Sequence, residues 1–186
     1  MTPRGELHRP NPYLVAWLRT FAAAPIRKRC LVVGCRLGDD AEALASAGFT
    51  VTACDLSPTA IEAAQRRFPR SGVDYVVADI LQPPPAWTAA FDLVYEAFML
   101  EGLPPAARPA AVESIASLVA SGGRIFLVCR AGDADQPMGA LPSPLTRDEL
   151  ALFEVAGLRA TTVDIVLDDE TPPVRRFRAF FDRLEA

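Results

Sequence analysis

Apolar residues along this chain recur with two periods, and the chain switches between them regularly. Leu31 to Val33 form a short apolar run that stops at Gly34, and a helical pattern follows from about Asp40 to Ala47 with Ala41, Leu44 and Ala45 on one side. Gly48 ends that helix, and Phe49 to Cys54 return to a β pattern that closes on Asp55. Ser57 as N-cap and Pro58 in the first turn then open a helix to Phe68, with Ile61, Ala64 and Phe68 facing inward. Further strands are predicted over Val73 to Ala78, Phe91 to Tyr95 and Ile125 to Cys129. Between the last two, Pro104 to Ala120 read as a helix carrying Val112, Ile115, Ala116 and Val119 on one face, broken by Gly122-Gly123. Thr146 and Glu149 form a capping box for a helix ending near Gly157. Residues 159–168 and 174–181 carry β patterns separated by a turn rich in Asp and Pro, so they should pair as an antiparallel hairpin. At the other end, Asn11-Pro12 is an N-cap and first-turn proline for a helix reaching about Ala23.

Alternating strands and helices of this kind specify a doubly wound α/β sheet. Ligands of such sheets lie outside the carboxyl ends of the strands, where glycines let the backbone approach and an acid about 20 residues onward bonds ribose hydroxyls. Gly34-Cys35-Arg36-Leu37-Gly38 holds only two glycines, not the G-x-G-x-x-G of a dinucleotide site. Asp39 and Asp40 then place negative charge at the helix N-terminus, where a pyrophosphate would be repelled. An adenosine joined to an amino acid with a positive centre suits that mouth better, which describes S-adenosylmethionine. The missing glycine and the acidic turn both count against an NAD-dependent oxidoreductase.

At 186 residues, 51% of them hydrophobic, the chain is expected to form a single domain, 1–186, with a cap segment and helix over 1–24 and a sheet-based core over 25–186. A net charge of −4 argues against a nucleic-acid partner, and Arg27-Lys28-Arg29 and Arg175-Arg176-x-Arg178 read as solvated surface. Cys30, Cys35, Cys54 and Cys129 show no C-x-x-C pair and no nearby histidine, so neither a metal nor a disulfide framework is expected. No apolar run approaches the roughly 20 residues needed to cross a bilayer, and residues 1–12 lack a signal core. A cytoplasmic protein acting on a small molecule is the expectation, with no membrane partner and the oligomeric state left open.

On these motifs the chain resembles the small class I S-adenosylmethionine-dependent methyltransferases. LVVGCRLG resembles their first motif, and VVGCRLGDDAEALA is most similar to the thiopurine-methyltransferase-like branch. TACDLSPTAIEAA, VVADIL, FDLVYEAFMLEGLPPAAR and SGGRIFLVCR resemble the second to fifth strand motifs. The resemblance implies a Rossmann-like seven-stranded sheet of order 3-2-1-4-5-7-6 with strand 7 antiparallel, and S-adenosylmethionine as cofactor with S-adenosylhomocysteine as product. It implies cofactor contacts from Gly34, Cys35, Arg36, Gly38, Asp55, Leu56, Asp79, Ile80 and Glu96, with Asp55 on the ribose hydroxyls, Asp79 beside the adenine amino group and Ile80 against the ring. Arg36 stands where the family has its middle glycine, so its side chain crowds the methionine part of the cofactor unless it turns outward.

The acceptor must come from residues above the fourth and fifth strands. Tyr95-Glu96-Ala97-Phe98 replaces the Asn-Pro-Pro-Tyr of enzymes that methylate base amines, so base methylation is not expected. Glu96 is the candidate proton acceptor, or else it bonds a backbone amide or the cofactor ammonium. Phe98 and Met99 are candidate walls of an acceptor pocket, or ordinary core, and Arg130 a candidate ligand for an acceptor carboxylate, or a surface ion pair. His8 is the single histidine, solvated or folded over the acceptor, and the loop from Ala131 to Pro144 is a candidate lid. The reaction expected is methyl transfer to a sulfur, oxygen or nitrogen of a small, partly apolar acceptor. The alternative is a catalytically inactive methyltransferase-like domain that binds cofactor or a partner.

Overall fold

The chain alternates strand and helix as its hydrophobic periods require, and its strands join one sheet. A computed structural model describes residues 9–20, 28–133 and 141–185. In order they form α1 (Pro12–Leu18), β1 (Arg29–Val33), α2 (Asp39–Ser46), β2 (Thr50–Asp55), α3 (Pro58–Arg67), β3 (Asp74–Val77), β4 (Phe91–Ala97), α4 (Arg108–Ser117), β5 (Val119–Arg130), α5 (Arg147–Val155), β6 (Arg159–Leu167) and β7 (Arg175–Asp182). The sheet order is β3-β2-β1-β4-β5-β7-β6, the expected Rossmann-like arrangement. β7 alone runs antiparallel to its neighbours β5 and β6, whereas β1 to β5 pair in parallel.

Strand alternation divides the core between the two faces. Leu31, Val33, Val94, Leu127 and Phe177 face α4 and α5, where they meet Val112, Ile115, Leu150 and Phe153. Cys30, Val32, Tyr95, Phe126 and Val128 face the other way, onto Leu14, Ala41, Leu44, Ile61 and Ala64. α1 is fixed on that second face by Trp17, whose ring centroid lies 5.2 Å from Phe126 and 6.0 Å from Phe180. Both cores end below the carboxyl edge of β1, β2 and β4, which leaves that edge free to carry a site.

Four boundaries differ from expectation for local physical reasons. α1 ends at Leu18 rather than Ala23. α4 starts only at Arg108 because Pro104 and Pro105 lead into a separate 3₁₀ turn, Pro105–Ala107. It stops at Ser117, and Val119 already pairs with Phe91. Gly122-Gly123 is therefore a bulge within β5 rather than a helix terminator: the register jumps between Phe91 and Leu93, and a Cβ on Gly123 would lie 2.8 Å from the Ala120 carbonyl oxygen. β4 runs two residues further than predicted, to Ala97, which places Glu96 inside the strand. Phe68, the C-cap of α3, is half-buried rather than core. His8 and residues 21–27 and 134–140 of the cap and lid segments lie outside the described residues.

Candidate functional site

Val33 leads into a turn with three left-handed residues, Gly34 (φ 67°), Arg36 (φ 52°) and Gly38 (φ 89°). Gly38 could carry no side chain, since a Cβ would collide with the Tyr75 hydroxyl. Arg36 holds a glycine-like conformation that costs an L-residue about 1–2 kcal/mol. The turn tolerates that strain because it is pinned from β2. The Cys35 amide donates to the Cys54 carbonyl at 2.9 Å, and the Arg36 amide donates to Asp55 Oδ2 at 2.9 Å. Asp55 Oδ1 accepts from the Ser57 amide at 2.9 Å, so one half-buried carboxylate joins the two loops. Each of its oxygens keeps a lone pair for a further donor. The Arg36 side chain is exposed at the rim of the adjoining cavity.

Of the two acids opening α2, Asp39 is neutralised. Arg67, from the end of α3, grips it with both guanidinium nitrogens at 2.7 and 2.8 Å. Asp40 accepts from the Asn11 amide at 2.6 Å, and burial raises its pKa. The Tyr95 hydroxyl lies close enough to Asp40 for the two to raise and lower one another's ionisation, yet it makes no bond of proper geometry. Asn11 Nδ2 is likewise buried without a partner. Both belong to the wall of one cavity of about 370 Å³, and buried polar atoms left unpaired are rare enough to mark a place for a ligand.

Gly34, Cys35, Arg36, Phe98 and Arg130 all line that cavity. Asp55, Leu56, Asp79 and Ile80 do not; they form the rim beyond the glycine turn, over β2 and β3. There the Ala78 amide donates to the Asp55 carbonyl at 3.1 Å, Asp79 Oδ1 accepts from the Leu81 amide at 2.9 Å, Leu56 is 69% exposed and Ile80 is buried. Cys35 is buried too, its thiol pushed up to about 12 by desolvation. Met99 is no part of the cavity wall: it packs against Gly34, where an added Cβ would sit 3.0 Å from its own.

Glu96 also stands apart, which corrects its candidacy as proton acceptor. It is fully buried in β4, in register with Val33 and Leu127 and outside the cavity wall. Its Oε1 accepts from the Met99 amide at 2.5 Å and the Leu100 amide at 3.1 Å, so it shapes the turn after β4. Oε2 has no partner, and desolvation pushes its pKa from 4.5 up to about 8. Between those values the folded chain binds the proton that the unfolded chain releases, so stability should fall as pH rises from about 4.5 to about 8 and level off above. Glu96→Gln should remove the share of this slope that Glu96 carries, leaving that of the buried Asp40 and Glu101, and gain on the order of a few kcal/mol over wild type at pH 9, read from urea midpoints between pH 5 and 9. A variant that keeps the wild-type slope would place the titrating group elsewhere.

On the far side of the cavity, Phe98 adopts φ 68°, a strained value for an aromatic residue, and its amide donates to the Val128 carbonyl at 3.0 Å. Arg176 lies over its ring at 4.9 Å. Far from being solvated surface, Arg176 is buried between Asp168 and Glu170, with contacts of 2.7 and 2.6 Å. Glu101 is a buried cavity carboxylate whose pKa burial raises, and its Oε2 accepts from the Arg130 amide at 2.8 Å. Neither was singled out in the sequence. The alternation of β7 carried a signal for Arg176, since it falls on the face shared with Phe180 rather than with Phe177. The ends of the candidate lid close on each other, Gly132 donating to the Leu145 carbonyl at 2.8 Å, and Pro142 reaches the cavity. Among the described residues there is no cluster of metal ligands, and no helix is long and apolar enough to cross a membrane.

Residues 30–123 match the family model described as a methyltransferase domain. A ubiquinone biosynthesis O-methyltransferase from Thiobacillus denitrificans is 38% identical over 123 residues, 64% of this chain and 51% of the relative. The chain thus spans about half the length of the curated relatives it matches. Among solved structures, a TehB-like SAM-dependent methyltransferase from Corynebacterium glutamicum superposes with a TM-score of 0.70 at 24% identity, covering 93% of this chain and 89% of that one. The 1,6-didemethyltoxoflavin-N1-methyltransferase of Burkholderia thailandensis, with 1,6-didemethyltoxoflavin and S-adenosylhomocysteine bound, does so with a TM-score of 0.75 at 20% identity, over 94% and 78%.

Proposed function

This chain belongs to the methyltransferase-domain family, and from that premise we propose that it uses S-adenosylmethionine to methylate a small, partly apolar acceptor, with oxygen the first accepting atom to examine. One observation carries the reading. Asp55 ends β2 with its carboxylate against the left-handed glycine turn, 2.9 Å from the Arg36 amide, while retaining lone pairs for a diol. The chain's own residues fit each end of the cofactor. The exposed Leu56, with the small remaining edge of the core residue Ile80, offers apolar surface to an adenine and Asp79 an acceptor to its amino group. Asp55 would hold the ribose. The unpaired Asn11 Nδ2 suits a carboxylate, and the Asp40 carboxylate, with the Tyr95 hydroxyl next to it, suits the ammonium. Gly34, Cys35, Arg36 and Gly38 would lie along the amino-acid arm.

When bound, the cofactor supplies a methyl group already activated on a sulfonium. What remains for the protein is to bring the acceptor atom in line and exclude water, and correct placement alone can supply much of the acceleration. The wall formed by Tyr13, Phe98, Arg130 and Pro142 is where that placement would occur. Oxygen leads because the named relatives are O-methyltransferases. The thiopurine-methyltransferase-like likeness, which would favour sulfur, is carried by the residues of the first motif alone. We treat 1–186 as one working unit in which residues 9–13 cover the cofactor, since they line the cavity.

Calorimetric titration with S-adenosylmethionine and S-adenosylhomocysteine tests the reading. Micromolar binding of both is expected. Absence of binding would mean that Arg36 has closed the turn, and the second reading, a methyltransferase-like domain without turnover, would take its place.

A further inference from the structure

The half-buried Arg130 differs from the buried Arg176 of the same cavity in what it leaves unused. Arg176 spends its guanidinium on Asp168 and Glu170. Arg130, at the end of β5, has no guanidinium N–H in hydrogen-bond contact among the described residues. Its Nε is buried and unpartnered. Glu101 Oε1 comes no closer than 3.8 Å, outside hydrogen-bond range. Glu101 meanwhile gives its other oxygen to the Arg130 backbone amide, so the acid anchors the strand end more than it satisfies the guanidinium. The Arg130 side chain is 38% exposed and lines the cavity together with Phe98.

A guanidinium is a rigid fork of donors that matches a carboxylate in two parallel bonds. One that is held on a cavity wall with a buried N–H unpaired lacks its partner. Resting on the proposed methyl transfer, we infer that the acceptor carries a carboxylate, bound by the Arg130 guanidinium, with its apolar body against Phe98. The cofactor's own carboxylate is not the better candidate. With order β2-β1-β4-β5, Arg130 stands two strands, about 10 Å, from the glycine turn of β1 and three from Asp55. A ligand that places its ribose at Asp55 and its amino-acid arm at the turn ends short of Arg130. Of the acids lining the cavity, Asp168 and Glu170 are held by Arg176 and Asp39 by Arg67, Asp40 and Asp169 complete the set, and Glu101, 3.8 Å from the Arg130 guanidinium, is the carboxylate with which an incoming one would share it.

The test is titration of S-adenosylhomocysteine-saturated protein with 4-hydroxybenzoate and with 4-hydroxybenzyl alcohol, which differ in the carboxylate. Wild type should bind the acid at least tenfold more tightly, Arg130→Gln should reduce the ratio to near one, and Arg130→Lys should recover part of it. Equal affinities in wild type, or a preference that survives Arg130→Gln, would overturn the inference. So would an Arg130→Gln variant whose loss falls on S-adenosylhomocysteine itself, since that would put Arg130 at the cofactor's end. Failure of S-adenosylhomocysteine to bind wild type would instead sink the methyl-transfer reading. The same titrations on the free protein and both variants would still decide whether Arg130 holds an anion.

Discussion

Arg108→Ala should destabilise the fold by about 3–5 kcal/mol, lowering the melting temperature by roughly 6–20 °C for a chain of this size. Arg108 is the largest of the fully buried side chains, only 2% exposed. Its guanidinium donates to Glu149 at 2.7 Å, to the Pro144 carbonyl at 3.2 Å, to the Ser143 carbonyl and hydroxyl at 2.9 and 2.5 Å, and to the Leu103 carbonyl at 3.2 Å. Truncation strands the buried Ser143 carbonyl and hydroxyl and takes from the half-buried Glu149 carboxylate its only cation among the described residues, and the penalty for stranding them exceeds the net worth of the bonds. Glu149 is also the capping-box residue of α5, so the loss reaches that helix. Ser143 donates its amide to the Glu101 carbonyl at 2.8 Å, which carries the disturbance to a residue of the cavity wall. Arg108→Lys keeps charge but not the fork and should recover only part of the stability. The double variant Arg108→Met, Glu149→Leu, which removes both charges, should be more stable than Arg108→Ala. Urea unfolding decides: a loss under 1 kcal/mol for Arg108→Ala would mean that water replaces the guanidinium and that this hub is not structural.

What the sequence made legible, and what it hid, divides by the range of the interaction. The first βαβ unit could be read because each of its signals is local: the apolar run 31–33, the amphipathic spacing of Ala41 and Leu44, the glycines, and an acid where β2 ends. The caps at Asn11, Ser57 and Thr146 were legible for the same reason, since a cap lies only two or three residues from its partner. Arg176 was misread as surface because its burial depends on Asp168 and Glu170 across a hairpin turn and on Phe98 from the turn after β4. The acidic mouth was overstated because Arg67, 28 residues from Asp39, cancels one of its charges. Glu96 was misplaced by two residues of strand. Once β4 continues to Ala97, alternation puts Glu96 on the face of Val94 and into the core, whereas Phe98, past the end of the strand at φ 68°, leaves that pattern and lines the cavity. Arg36 shows the converse: the sequence marked the position as anomalous, and the backbone keeps the glycine conformation nonetheless.

Asp55→Ala should weaken S-adenosylhomocysteine binding by roughly 2–4 kcal/mol, a drop of about 30-fold to 1,000-fold, because hydrogen bonds from two hydroxyls to an ionised carboxylate are lost together. The same carboxylate holds the Arg36 and Ser57 amides, so the substitution also loosens the glycine turn, and the two effects must be separated. Adenosine and 2′,3′-dideoxyadenosine separate them, since loosening the turn weakens both ligands alike whereas loss of the diol contact weakens adenosine alone. Wild type should prefer adenosine, and Asp55→Ala should erase the preference. Asp55→Asn retains one acceptor oxygen for a backbone amide, so it should melt closer to wild type while still losing most of the diol preference. If Asp55→Ala continues to favour adenosine by the wild-type factor, the ribose lies elsewhere and the carboxylate serves the loop alone. The strained Arg36 conformation would then be explained by that loop rather than by a cofactor.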